Sequence, residues 1–155
     1  MILILAYGNS LRRDDGAGFI LADALERLLS GTGMGVRRID SHQLAPELAL
    51  DIACGDVSAV IFIDTRAVSG TNDDGLVHIA PLAAAEIASP SLGHHFEAPV
   101  LLTYTKYLFN KEPRAWLITI PGVDFTHGEG LSETAGTALA SAAERVREFV
   151  GRLSD

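Results

Sequence analysis

The 155-residue chain has one cysteine, one tryptophan, no excess of positive charge, and no apolar run approaching the roughly 18 to 20 residues of a membrane-spanning helix. Each shortage excludes something. Cys54 cannot pair within the chain or build a thiolate metal cage alone, and its apolar surroundings predict a small core residue. With 12 Lys+Arg against 20 Asp+Glu the net charge is −8, so the chain would repel a nucleic-acid backbone, and no nucleic-acid partner is expected. The apolar start at Met1 to Leu5 lacks the basic flank and the length of a signal peptide. These features predict a soluble, cytoplasmic, monomeric protein with no membrane partner. Several catalytic signatures are also missing: there is no G-x-S-x-G elbow, no H-E-x-x-H zinc motif, no Gly-Lys-Ser/Thr phosphate loop and no GxGxxG turn.

What is present reads as one globular domain over residues 1–155, with 48% apolar residues and a length at which folding buries roughly 70% of the chain's surface. Met1–Tyr7 is an apolar run without polar alternation, the mark of a strand covered on both faces. Further strands are predicted at Val36–Ile39, Ala59–Ile63, Leu76–Ala80, with Pro81 as its exit, and Trp116–Ile120. Helical spacing appears over Ala17–Leu29, from Pro46 and Glu47 toward Gly55, and after His94-His95, where Leu101, Tyr104 and Leu108 share a face. A helical turn is read at Leu82–Ile87, and Ser132 caps a final helix whose Leu139, Ala142, Val146, Phe149 and Val150 share a face. This alternation predicts a three-layer α/β/α fold with a twisted, mostly parallel five-stranded sheet and helices on both faces. Ligands in such folds gather beyond the carboxyl ends of the strands. The polar residues lie there: Asn9–Asp15, His42, Asp64 and the loop after Pro121.

Three groups could carry chemistry. The turn Gly8-Asn9-Ser10-Leu11-Arg12-Arg13-Asp14-Asp15-Gly16-Ala17-Gly18 runs from a strand into a helix, but Asp14 and Asp15 would repel a phosphate there. They either cap the helix or serve a cation. Asp64, closing an apolar strand, needs a hydrogen bond, partial exposure or a cation to offset desolvation. A histidine of the His94-His95 pair at a helix start would be held neutral by the dipole and free to ligate. Two carboxylates and an imidazole suit a divalent metal, and spacing does not choose among nickel, zinc, manganese and iron.

Gly8-Asn9-x-Leu11-x-x-Asp14-Asp15-Gly16-x-Gly18 after a first strand, a strand ending in Asp64, and a histidine leading a helix about thirty residues on resemble the [NiFe]-hydrogenase maturation proteases. Gln43-Leu44-x-Pro46-Glu47-Leu48 and the late loop from Ile120-Pro121-Gly122 to Leu131-Ser132 extend the resemblance over nearly the whole chain. It implies an endopeptidase that removes a C-terminal extension from the hydrogenase large-subunit precursor after nickel insertion. It further implies that Asp15, Asp64 and His94, with His95 in reserve, are the catalytic residues and contact that nickel. The metal would be recognised in the precursor, and tight binding by the free enzyme is not expected. Ala6 stands where many relatives have glycine, and Arg12-Arg13 make the loop more basic, either to hold acidic groups of the precursor or to offset Asp14 and Asp15. The rival readings are a non-catalytic chaperone or docking module for the same nickel centre, and a small-ligand or nucleotide-binding domain.

Overall fold

Alternate residues of the central strands separate two apolar cores, and this separation defines the layers. In the computed structural model, which describes residues 1–69, 72–85 and 97–155, the sheet consists of β1 (Ile2–Tyr7), β2 (Val36–Ser41), β3 (Ala59–Ala67), β4 (His78–Leu82) and β5 (Arg114–Gly122). Their order is β2-β1-β3-β5-β4, parallel throughout except for the antiparallel edge strand β4. Ile2, Ile4, Ala6, Ile61, Ile63 and Ile118 face helices α1 (Ala17–Gly31), α4 (Glu133–Ser141) and α5 (Ala143–Ser154). Leu3, Leu5, Val60 and Phe62 face α2 (Leu48–Ile52) and α3 (Ala98–Phe109). Because successive strand side chains point to opposite faces, an uninterrupted apolar run gives a strand buried on both sides. The expected three-layer α/β/α fold is therefore present. Among the described residues no helix is long and apolar enough to cross a membrane.

Several local expectations are corrected. Cys54 is exposed, because α2 stops at Ile52 and the chain turns outward before β3. On α3 the buried face is Ala98, Leu101, Leu102 and Thr105, and Leu108 is 65% exposed; Tyr104 also lies toward solvent. The β4 strand begins two residues late and includes Pro81, since Asp73 and Asp74 bind the amides of Gly75 and Leu76 in a turn, and an edge strand tolerates a missing donor. The last helix is two, α4 and α5, separated at Ala142, although Ala142, Val146, Phe149 and Val150 are buried as expected. Ser132 does cap α4, accepting from the Ala135 amide at 3.2 Å. The segment read as a helical turn begins inside β4 at Leu82 and ends outside the described residues.

Asp64 does not end its strand. β3 continues to Ala67 alongside β5, whereas its pairing with β1 stops at Ala6↔Ile63, so the strand overhangs its neighbour from Asp64 onward. β1 lies between β2 and β3; the link from β1 to β2 runs through α1 on one face of the sheet and that from β2 to β3 through α2 on the other. This reversal opens a crevice beyond the carboxyl ends of the strands.

Asp14 anchors the turn after β1 from within. It is fully buried in a short 3-10 turn, Arg13–Gly16, and caps no helix. Its carboxylate accepts from the amides of Val123 at 2.8 Å, Asp124 at 3.0 Å and Ser132 at 2.7 Å, and from the Ser132 hydroxyl at 2.6 Å. Burial pushes this carboxyl up, but the hydrogen bonds from Ser132, Asp124 and Val123 outweigh it and leave its pKa below the ordinary value. Asp14→Ala leaves three partly buried amide donors and the Ser132 hydroxyl without their acceptor and should cost about 3 kcal/mol of stability at neutral pH in urea denaturation. Since a depressed carboxyl stabilises the fold above its unfolded pKa and loses that effect on acidification, the gap between wild type and variant should shrink below about pH 4.

Candidate functional site

The crevice is a cleft of about 1080 Å³, lined among others by Tyr7, Asp15, His42, Leu44, Asp64 and Glu97. Two of the three residues expected at the site, Asp15 and Asp64, face it together. His94 and its reserve His95 lie outside the described residues. Among the described residues no three His, Cys, Asp or Glu side chains gather closely enough to hold a metal ion. The two carboxylates are thus an incomplete oxygen-donor pair, of the kind suited to a divalent cation when a further ligand joins them.

Asp15 owes its place to the turn after β1. The Asn9 amide donates to Asp15 Oδ2 at 2.8 Å, the Leu11 amide donates to Asn9 Oδ1 at 2.9 Å, and the Asp15 amide donates to the Arg12 carbonyl at 3.1 Å. Gly8 makes the fold-back possible: its φ is +149°, and a Cβ there would lie 2.1 Å from the Asp15 carbonyl oxygen. The carboxylate therefore reaches back toward β1 and does not cap α1, which starts without a side-chain cap.

Asp64 sits where β3 has lost its β1 neighbour. Its Oδ1 accepts from the Thr65 amide at 2.7 Å, and the Tyr7 phenol donates to the same carboxylate. Burial pushes the Asp64 carboxyl up to about 6; the nearby Asp15 charge adds to this, while the bonds from Thr65 and Tyr7 oppose it. Burial, with the negative charges of Asp64 and Glu97, also raises the Tyr7 phenol, which stays a proton donor at neutral pH. Asp64 can accordingly hold or release a proton near neutrality, the property wanted in a general acid or base. From sequence alone Tyr7 is a strand residue only. The available signal was positional, since in a parallel register the residue after Ala6 stands beside the residue after Ile63.

The two arginines of the turn fasten a neighbouring loop. Arg12 Nε donates to the Phe125 carbonyl at 3.2 Å, and its guanidinium lies 6.0 Å from the Phe125 ring centre. Arg13 donates to the Glu129 carbonyl at 2.9 Å and pairs with Asp124 at 3.7 Å, not with Asp14 or Asp15. His42 lines the cleft from the loop after β2 and is exposed.

A doubly wound sheet, an antiparallel edge strand and a polar cleft at the first switch point define a class of fold that recurs among solved structures. That fold is shared with the hydrogenase maturating endopeptidase HybD from E. coli, with a TM-score of 0.68 at 21% identity, covering 97% of this chain and 92% of that one. The [NiFe] hydrogenase maturation protease HycI from Thermococcus kodakarensis KOD1 gives a TM-score of 0.65 at 24% identity, covering 97% and 92%. A hydrogenase 2 maturation peptidase from Thaumarchaeota archaeon gives 0.59 at 22% identity, covering 97% of each chain. At these identities the likeness establishes the fold. No family model matches the chain, and no curated protein matches it by sequence.

The raised Asp64 carboxyl has a measurable consequence. A carboxyl whose pKa rises on folding favours the folded state least when ionised in both states, so its cost appears as pH rises from the unfolded value near 4 through about 6. Asp64→Asn removes that charge while keeping an oxygen that can accept from Tyr7. It should stabilise the protein by about 2 kcal/mol well above pH 6 and change it little near pH 4, as read by urea denaturation at both pH values.

Proposed function

We propose that this chain is an endopeptidase that removes a C-terminal extension from a [NiFe]-hydrogenase large-subunit precursor after nickel insertion, with the precursor's nickel as the element it recognises. The observation that carries this reading is the meeting of Asp15 and Asp64 in one open cleft, on a fold shared over nearly the full chain with hydrogenase maturation proteases. In this reading Asp15 and Asp64, joined by His94, contact the nickel of the substrate. Nickel supplies Lewis-acid polarisation of the peptide carbonyl next to it.

The remaining work falls to the chain's own groups. Asp15 is held by the Asn9 amide, so its carboxylate meets the substrate without first being ordered. Asp64 offers a carboxylate oxygen that could take a proton from the attacking water or return one to the leaving amine. Tyr7 fixes the rotation of that carboxylate by donating to it. The cleft is open enough for a folded precursor's terminal segment to enter, and its volume of about 1080 Å³ exceeds that of a single side chain severalfold.

Mass spectrometry of a large-subunit precursor, nickel-loaded or metal-free, after incubation with the protein tests the reading. Loss of a C-terminal peptide from the nickel-loaded form alone is expected, with Asp15→Ala, Asp64→Ala and His94→Ala each slowing it at least about 100-fold. An intact nickel-loaded precursor in a stable complex would replace proteolysis with docking.

A further inference from the structure

We infer that Thr65 is a positioning residue that sets the spacing of the two cleft carboxylates, with Asp14 as its partner and Gly122 as the space that lets the two meet. The inference rests on the reading of the cleft as a proteolytic site. Asp15 and Asp64 belong to segments far apart in the chain, so their separation must be fixed by contacts between the turn after β1 and the overhang of β3. Thr65 makes contact with both acids' supports at once. Its hydroxyl donates to the Asp14 carbonyl oxygen at 2.8 Å, a bond buried between the two segments. That carbonyl belongs to the peptide group whose nitrogen is Asp15, so holding it fixes the plane from which the Asp15 side chain departs. The Thr65 amide meanwhile donates to Asp64 Oδ1 at 2.7 Å. One residue thereby holds the backbone of one acid and the carboxylate of the other.

Thr65 differs from the other buried threonines in which segments it joins. The Thr105 hydroxyl bonds the Leu101 carbonyl one turn back in its own helix, and that of Thr103 bonds Pro99 one turn back and also the Ala85 carbonyl outside the helix, whereas that of Thr65 crosses to the turn that carries Asp15. Valine would pack equally well at a buried strand position, so the hydroxyl is what distinguishes the residue chosen. Asp14 gives the bridge a rigid abutment, because its own amide donates to the Asp124 carbonyl at 3.0 Å and its carboxylate is bound on both oxygens.

Gly122 supplies the room. A Cβ on it would stand 2.6 Å from Thr65 Cγ2, 3.0 Å from Asp14 Cβ and 2.9 Å from the Phe125 ring. Any larger residue at the end of β5 pushes between the two partners, although it removes none of the hydrogen-bonding groups.

The test compares Thr65→Val, Thr65→Ser and Gly122→Ala by two readouts: kcat and KM on the nickel-loaded precursor, and amide hydrogen exchange followed by NMR. The Asn9 amide reports the Asp15 carboxylate to which it is bonded, and the Ile61 amide reports the centre of the sheet. Thr65→Val and Gly122→Ala should each lower kcat about tenfold with KM within about twofold, and speed Asn9 exchange about tenfold, with Ile61 still protected. Thr65→Ser should restore both. The inference is overturned if Thr65→Val leaves Asn9 protection or kcat at the wild-type value, or if Thr65→Ser behaves like Thr65→Val. Equal loss of protection at Ile61 in Thr65→Val and Gly122→Ala overturns it too, because the residue then serves the fold as a whole. A wild-type protein that leaves the nickel-loaded precursor uncut defeats the proteolytic reading instead, and Asn9 exchange still decides whether the bridge holds Asp15.

Discussion

A buried carboxylate dictates much of how this molecule is put together. Asp14 has no exposure to water, and an ion so placed costs several kcal/mol unless donors surround it. The donors come from Val123, Asp124 and Ser132, all in the stretch that follows β5. Satisfying Asp14 therefore requires the loop after β5 to fold onto the turn after β1. The same requirement places Ser132, whose hydroxyl both donates to Asp14 and caps α4, so the start of that helix and the turn after β1 are set by one cluster. The backbone link between Arg12 and Gly128 and the side-chain bonds of Arg12 and Arg13 lie on the outer side of the same junction. They are exposed and worth little singly, but they close the loop over a contact that is already strong.

Asp14, Asp64 and Asp15 lie close together in this region, and their environments differ. Asp14 is surrounded by donors and keeps its charge. Asp64 is partly buried near a second carboxylate and is pushed up to about 6. Asp15 is half-buried and held by a backbone amide. Residue type alone does not separate a structural acid from a chemically available one. The count of donors against the depth of burial does, as the contrast between Asp14 and Asp64 shows.

The large features of the fold were legible because burial on both faces leaves a direct trace in sequence. Met1–Tyr7 reads as a doubly covered strand and Ala59–Ile63 as a β-prone apolar run, and the two pair as neighbours at the centre of the sheet. Asp15 and Asp64 were legible as cleft residues because strand ends in such a sheet face one crevice. Asp14 was not, since its partners lie more than a hundred residues away and nothing local distinguishes it from a helix cap. Tyr104 and Leu108 fit an apolar stripe as well as Leu101 does, but the neighbouring Leu102 and Thr105 turn the buried face of α3 away from them. Pro81 looked like a terminator because proline cannot donate to a ladder, and the exception arises only at an edge strand, a fact of topology that no local pattern records. Cys54 follows the same logic: an apolar neighbourhood in sequence became an exposed turn in space because α2 is so short.

The unequal lengths of the central strands account for the surroundings of Asp64. β3 and β5 remain paired through Ala67↔Gly122, yet β1 departs after Tyr7, leaving one edge of β3 without a strand beside it. An overhanging strand presents polar backbone groups that must be satisfied by something other than a ladder. Part of the answer is side-chain bonding: Asp64 accepts from the Thr65 amide, and Arg66 reaches across to the carbonyls of Thr119 and Leu76, tying the overhang to β5 and to the approach to β4. The missing neighbour leaves Asp64 enough water to exist as an ion and enough burial to make ionisation costly. Extending β1 by another pair would cover the acid, and shortening β3 would release it into solvent. Either change would move its carboxyl away from the middle range in which a proton can be both taken and returned, so the stagger of two strands is itself a catalytic parameter of the proposed site.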